Sequence, residues 1–85
     1  MFQENHKPEP SGDEVPLAAL KKNESGIVAR LNTEDNKDLQ KLLAMGILPG
    51  RSLRVLQRYP VYILEVERTQ VAMDKELARL ILLKR

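Results

Sequence analysis

Hydrophobic and polar residues alternate along most of the chain after residue 25. A period of two is typical of β-strands, because successive side chains point to opposite faces of a sheet. The alternating runs cover residues 26–31, 52–58, 61–67 and 69–73, and shorter apolar runs lie at 17–20 and 80–83. The pattern therefore predicts six short strands.

The alternation also assigns side chains to the two faces of each strand. In the run 61–67, Tyr62, Leu64 and Val66 share one face, and the charged residues Glu65 and Glu67 lie on the other with Ile63. In the run 26–31, Ile27, Ala29 and Leu31 share a face opposite to Val28 and Arg30. Antiparallel strands with one buried face and one solvated face show this arrangement.

A helical period interrupts the strands between residues 32 and 46. The apolar residues of this stretch follow a helical stripe, which we expect to pack on the core: Leu39, Leu42, Leu43 and Met45. Asn32 or Thr33 can cap the start of the helix, and Gly46 can adopt the left-handed conformation that ends it. We predict a helix of about three turns.

Two sharp turns are predicted around this framework. Pro49-Gly50 suits the central positions of a type II turn, because proline fixes the first φ and glycine supplies the positive second φ. Asp74 can cap a short helical turn over residues 75–80, directly before the last strand. With one real helix and many short strands, a small closed barrel would leave no long sheet edge exposed.

Composition divides the chain near residue 16. Residues 1–16 contain three of the five prolines, three apolar residues and one lysine against four acidic residues, a net charge of −3. Residues 17–85 carry 13 basic and 8 acidic residues, a net charge of +5. Because a segment so poor in apolar residues cannot offset its ordering entropy, we predict a flexible, acidic, proline-rich tail at 1–16 and one folded domain at 17–85.

The residue types disfavour catalysis and metal binding. The 85 residues include no cysteine and a single histidine, His6, which lies in the predicted tail. No serine or threonine of the domain therefore has an imidazole base near it in sequence, and no thiolate or multi-histidine metal site can form. We expect no enzymatic activity, no metal ligands and no cofactor.

The remaining classes are membrane and nucleic-acid binding. The longest uncharged stretch is nine residues, 42–50, whereas a membrane span needs about 20 apolar residues. The N-terminus also lacks the apolar segment of a secretory signal, so we predict a cytoplasmic protein without a membrane span. Only Tyr59 and Tyr62 are available in the domain for stacking on bases, which makes nucleic acid a weak alternative.

The nine residues Leu42-Leu43-Ala44-Met45-Gly46-Ile47-Leu48-Pro49-Gly50, followed by an alternating strand, resemble the central signature of the FeoA family. The runs 17–20 and 25–28 resemble the opening strands of that family, and 71–78 with Ile81 and Leu83 resembles its closing pattern, in which Ala78 marks the last turn into the last strand. The similarity covers residues 17–83. One departure is the short corner Tyr59-Pro60-Val61-Tyr62, where the family usually has a glycine-containing loop.

The resemblance implies an SH3-like barrel with a helix inserted after the second strand, so the expected fold is mainly β. It also implies an accessory protein of bacterial ferrous iron uptake that binds or regulates the membrane permease FeoB. Similar domains form the C-terminal part of iron-dependent repressors of the DtxR type. The family is associated with transition metals, so a regulator-associated module and a direct metal-ion sensor are the alternatives.

We expect the partner-binding surface where the helix runs into the turn. Apolar residues in a tight turn can remain partly exposed and act as an anchor. The candidate contact residues are Met45, Ile47, Leu48 and Arg51, although Ile47 and Leu48 could instead plug the end of the barrel. Self-association is a further expectation, because a domain of 69 residues without disulfides has a small core.

Overall fold

The computed structural model describes residues 14–85, and an antiparallel sheet makes up most of this part of the chain. The elements in chain order are β1 (Glu14–Pro16), a 3₁₀ helix (Leu17–Ala19), β2 (Ser25–Leu31), α1 (Asn36–Ala44), β3 (Ser52–Gln57), β4 (Tyr62–Val66), β5 (Thr69–Met73), α2 (Lys75–Ala78) and β6 (Ile81–Lys84). The mainly β architecture is confirmed, with one helix inserted after β2 and a helical turn before the last strand.

The six strands lie in the order β1-β6-β2-β3-β4-β5, and every neighbouring pair is antiparallel. Strand β6 therefore lies between β1 and β2, and the strands from β2 to β5 follow one another as a meander. Within residues 14–85, no ladder joins β1 to β5. The expectation of a closed barrel was wrong in this respect, because the sheet keeps two edges.

The segment 17–20 differs from the sequence prediction. It forms a 3₁₀ helix and not a strand, and the amide of Leu20 donates to the carbonyl of Leu17 over 3.0 Å. Residues i and i+3 of a 3₁₀ helix lie above each other, so Leu17 and Leu20 both enter the core while Ala18 and Ala19 face solvent. The strand that pairs with β6 at this end is instead β1, at residues 14–16. The rest of the predicted tail lies outside the described residues.

The core combines buried residues of the strands with residues of the helical segments, such as Leu42 of α1 and Leu77 of α2. Tyr62, Leu64 and Val66 are all buried, as the alternation in β4 predicts. In β2 the buried residues are Gly26 and Val28, whereas Ile27 is 45% exposed on the opposite face. A bulge between Val28 and Arg30 then shifts the register, which lets Leu31 turn toward the core as well.

Helix α1 is shorter than predicted and is capped by a different residue. It spans Asn36–Ala44, and the carboxylate of Asp35 accepts a hydrogen bond from the amide of Lys37 over 2.8 Å. Thr33 binds the residue before the helix, because its hydroxyl oxygen accepts a hydrogen bond from the amide of Asp35. Both side chains arrange the loop that leads into the helix, and Asp35, not Asn32 or Thr33, occupies the N-cap.

The apolar stripe of α1 packs on the core less completely than predicted. Leu42 is fully buried and Met45 packs against the core, but Leu43 is 40% exposed. Consecutive helical residues are separated by about 100° around the axis, so Leu43 lies at the margin of the buried stripe while Leu42 lies within it. The prediction that Leu43 belongs to the core was therefore wrong.

Candidate functional site

The end of α1 is closed by a Schellman motif. The amide of Gly46 donates to the carbonyl of Leu43 over 2.9 Å, and the amide of Ile47 donates to the carbonyl of Leu42 over 3.0 Å. Gly46 has a φ of 84°, the left-handed conformation that this motif requires. Ile47 and Leu42 are both buried in the core, so the apolar contact that accompanies such a helix end is present.

A β-turn follows directly. The amide of Arg51 donates to the carbonyl of Leu48 over 3.1 Å, which places Pro49 and Gly50 at the two central positions. Gly50 has a φ of 94°, so the predicted type II turn is confirmed.

Two further hydrogen bonds attach this turn to the sheet. The amide of Gly50 donates to the carbonyl of Val28 over 2.7 Å, and the amide of Val28 donates to the carbonyl of Arg51 over 2.8 Å. The chain from the helix end to the start of β3 is thus held by helix capping, by turn formation and by β2 together. Side chains on this segment are presented on a backbone with little freedom to move.

We call four side chains of this segment that are exposed or partly buried the helix–turn surface: Leu43, Met45, Leu48 and Arg51. Leu43 and Arg51 are exposed, and Met45 and Leu48 are partly buried. The guanidinium of Arg51 lies beside Gly46, where a Cβ would be 3.9 Å from its Nη1 atom. Three apolar side chains and one cation are therefore carried by one short segment whose backbone is held by hydrogen bonds.

Ile47, the fourth residue predicted to contact a partner, is fully buried. It is the residue after the left-handed glycine, and the Schellman geometry turns its side chain inward against Leu42. Ile47 therefore belongs to the core and is not part of the helix–turn surface.

The residues predicted to carry the structural motif have internal positions or turn positions. Leu42, Ala78 and Ile81 are buried, while Gly46, Pro49 and Gly50 form the helix end and the turn. Ala78 ends α2, and its amide donates to the carbonyl of Asp74 over 3.1 Å. The carboxylate of Asp74 also accepts from the amide of Leu77 over 2.9 Å, which confirms the predicted cap.

Three large apolar side chains besides Leu43 are exposed within residues 14–85, Ile27 on β2 and two in the loop between β3 and β4. Tyr59 and Val61, in the loop between β3 and β4, are 85% and 40% exposed. They lie at the far end of β3 from Arg51, so they are separate from the helix–turn surface. The proline between them, which cannot donate to a strand ladder, was the available signal that both residues lie outside the sheet.

Two clefts of the described region are polar. The larger, of about 410 Å³, lies between α1 and α2 and is lined by Asn32, Asp38, Lys41, Asp74, Glu76, Leu77, Arg79 and Leu80. Its charges include both signs, and Arg79 pairs with Glu76 over 3.3 Å. Within residues 14–85, no three side chains among histidine, cysteine, aspartate and glutamate come together as a group that could hold a metal ion.

The two tyrosines do not form a platform for stacking bases. Tyr62 is 5% exposed and belongs to the core, so Tyr59 is the one exposed aromatic side chain of the part that the structure describes. Recognition of single strands uses several exposed aromatic faces in a positive groove. Phe2 and His6 lie outside the described residues.

The FeoA domain model matches residues 15–85. The chain belongs to the FeoA family. An iron uptake regulatory protein (FeoA) of known crystal structure is 31% identical over 84% of this chain and 95% of its own, with a TM-score of 0.76. A FeoA-like protein from Clostridium acetobutylicum, 19% identical over 85% of this chain and 86% of its own, shares the fold with a TM-score of 0.74.

A manganese-dependent transcriptional repressor is also similar. It is 25% identical over 91% of this chain and 43% of its own, with a TM-score of 0.78, so the FeoA domain corresponds to one part of that longer protein. No curated protein sequence matches the chain.

Family membership confirms the SH3-like fold and implies a role in ferrous iron uptake. Neither the FeoA family nor the SH3-like fold is a class of enzymes. The FeoA family is linked to iron transport by FeoB. Among residues 14–85, neither α1 nor α2 has the length or the apolar composition needed to cross a bilayer.

Proposed function

We propose that this FeoA-family protein is a cytoplasmic accessory protein of ferrous iron uptake that binds the cytoplasmic part of a FeoB-type permease through its helix–turn surface. The observation that carries the proposal is the exposure of Leu43 beside Met45, Leu48 and Arg51 on a segment held by the Schellman motif, the turn and β2. A rigid, partly apolar surface binds with a small loss of conformational entropy.

The chemistry of the surface suits a protein partner. Leu43, Met45 and Leu48 can enter an apolar pocket, while Arg51 at the margin can pair with a carboxylate of the partner. Arg51 is exposed, and none of the ion pairs found within residues 14–85 involves it. The partner should therefore present an apolar groove with an acidic residue at one end.

The experiment compares two apolar residues of equal exposure. Leu43 lies on the helix–turn surface and Val61 lies in the β3–β4 loop, and each is 40% exposed. Binding of Leu43→Asp, Val61→Asp and the unaltered chain to the purified cytoplasmic part of the permease is measured by calorimetry. Circular dichroism checks that both variants fold.

We expect Leu43→Asp to weaken binding at least about tenfold, because it removes an apolar contact and buries a charge, while Val61→Asp binds normally. Arg51→Glu should weaken binding less, as expected for a charge at the rim. Normal binding by Leu43→Asp, or loss of binding by Val61→Asp, would place the contact elsewhere. Unchanged iron transport by the reconstituted permease with and without this protein would contradict the accessory role itself.

A further inference from the structure

Strand β5 is a sheet edge without the features that usually block such an edge. It pairs with β4 through all five of its residues, and within residues 14–85 no element pairs with its other side. Natural edge strands are commonly protected by charged side chains, proline or a bulge. The sequence Thr-Gln-Val-Ala-Met has neither charge nor proline, and its register with β4 is regular.

The residues that flank β5 carry a charge pattern that is complementary to itself. Glu67 and Arg68 form the two-residue turn before the strand, and Asp74 and Lys75 follow it. All four side chains belong to exposed residues, and none of them takes part in the ion pairs found in the described part of the chain. The order acid, base, five uncharged residues, acid, base brings opposite charges near each other at both ends when two antiparallel copies of the strand meet.

We propose that two copies of this chain associate through β5, antiparallel and centred on Val71. In this register residues 69–73 form the ladder, and the charges that flank it meet at its two ends, Arg68 near Asp74 of the second copy and Glu67 near Lys75. The two-fold axis repeats both pairs, which gives four pairs of opposite charge around five paired residues. This surface is separate from the helix–turn surface, so the inference does not rest on the proposed function.

Other registers are less favourable. Residues directly opposite each other in an antiparallel pair lie on the same face of the sheet. The apolar faces of the two copies therefore stay together only if one strand slides by two residues, which moves the centre of the pair by one residue. A slip that centres the pair on Gln70 removes both opposite-charge pairs. A slip that centres it on Ala72 leaves one pair of opposite charge, Arg68 with Glu76, in place of two, and Glu76 already pairs with Arg79.

The central register also covers apolar surface. Val71 packs against the margin of the core and is only partly buried. Across the two-fold axis it would lie beside its own copy, and Thr69 would lie beside Met73. Because five residues form a short interface, below the about 1,200 Å² of a standard-sized one, association should depend strongly on concentration.

A single cysteine tests the register, since the chain has no cysteine of its own. Opposite Cα atoms of antiparallel strands are about 4.5 to 5.5 Å apart, within the range of a disulfide. Val71→Cys should therefore give a disulfide-linked dimer on mild oxidation. Thr69→Cys is the control, because its two copies would be about 14 Å apart along the strands.

Charge exchange tests the same pairing without cross-linking. Sedimentation velocity at low salt, from about 10 µM to about 1 mM, should show a monomer–dimer equilibrium for the unaltered chain. Lys75→Glu should raise the dissociation constant about tenfold by bringing two acids near each other at each end of the ladder, and Glu67→Lys with Lys75→Glu should restore it. Lys22→Glu, in the loop before β2, makes the same charge change away from β5 and should have little effect.

A monomer throughout this range would overturn the proposal. Equal cross-linking of the two cysteine variants would also overturn it, as would a Lys75→Glu variant that associates like the unaltered chain. Urea unfolding of each variant separates a loss of association from a loss of folding.

Discussion

The segment from Leu42 to Arg51 and the edge strand β5 differ in how their backbone polar groups are paired. In the first, the Schellman motif, the β-turn and the contacts to Val28 bind the backbone from three sides. In the second, one side of the strand has no partner among residues 14–85. The first region can hold side chains in place for a partner, whereas the second can offer its backbone to one.

The sharpest test of the first region compares neighbouring leucines. Leu42→Ala should lower the free energy of unfolding by about 3 kcal/mol, because Leu42 is fully buried and truncation leaves a cavity. Leu43→Ala should cost less than about 1 kcal/mol, because Leu43 is 40% exposed. Urea denaturation measures both values. Similar losses for the two variants would mean that α1 buries both leucines.

Substitution of Gly46, which has a positive φ at the end of α1, should have the next largest effect on the free energy of unfolding. Gly46→Ala should cost about 1 kcal/mol, because a φ of 84° disfavours a side chain. Space is not the limit, since the nearest atom to a Cβ at this position would be Nη1 of Arg51 at 3.9 Å. Gly46→Asn is the matched control and should recover part of the loss in urea denaturation, since asparagine tolerates this conformation better. Equal stability of Gly46→Ala and the unaltered chain would show that the helix end adopts another form.

The smallest effect on stability is expected on β5. Gln70→Lys should change the free energy of unfolding by less than about 0.5 kcal/mol, because Gln70 is exposed. It should nevertheless weaken association, because the two new cations of a dimer would lie about 8 Å apart on the same face. Gln40→Lys on the exposed side of α1 serves as the control. The comparison between the two regions would fail if Gln70→Lys unfolded the protein or left sedimentation unchanged.

Much of the fold could be predicted because its signals are local. The alternation in β4 places its buried residues correctly, and Gly46, Pro49 and Gly50 define the helix end and the turn through their own φ preferences. Leu17 and Leu20 were misassigned because all four residues of the run 17–20 are apolar, so the run shows neither the period of a strand nor that of a 3₁₀ helix.

The candidate site was harder to predict, because exposure depends on which elements pack together. Nothing in the apolar pattern of α1 tells that Leu42 is buried and Leu43 is 40% exposed. The inward position of Ile47 follows from its place after the left-handed glycine, but that geometry needs the Schellman hydrogen bonds to be known. The free edge of β5 depends on the order of all six strands, and no short stretch of sequence carries that information.

The position of β6 between β1 and β2 determines when the sheet can be completed during synthesis. The meander from β2 to β5 needs only neighbouring segments, so it can begin to form while the chain is still being made. Strand β1, at residues 14–16, has its partner in β6 at residues 81–84 and must wait until those residues have left the ribosome. Until then, the edges of β1 and β2 that β6 will cover are open to other chains, and this interval is when the nascent protein is most exposed to aggregation.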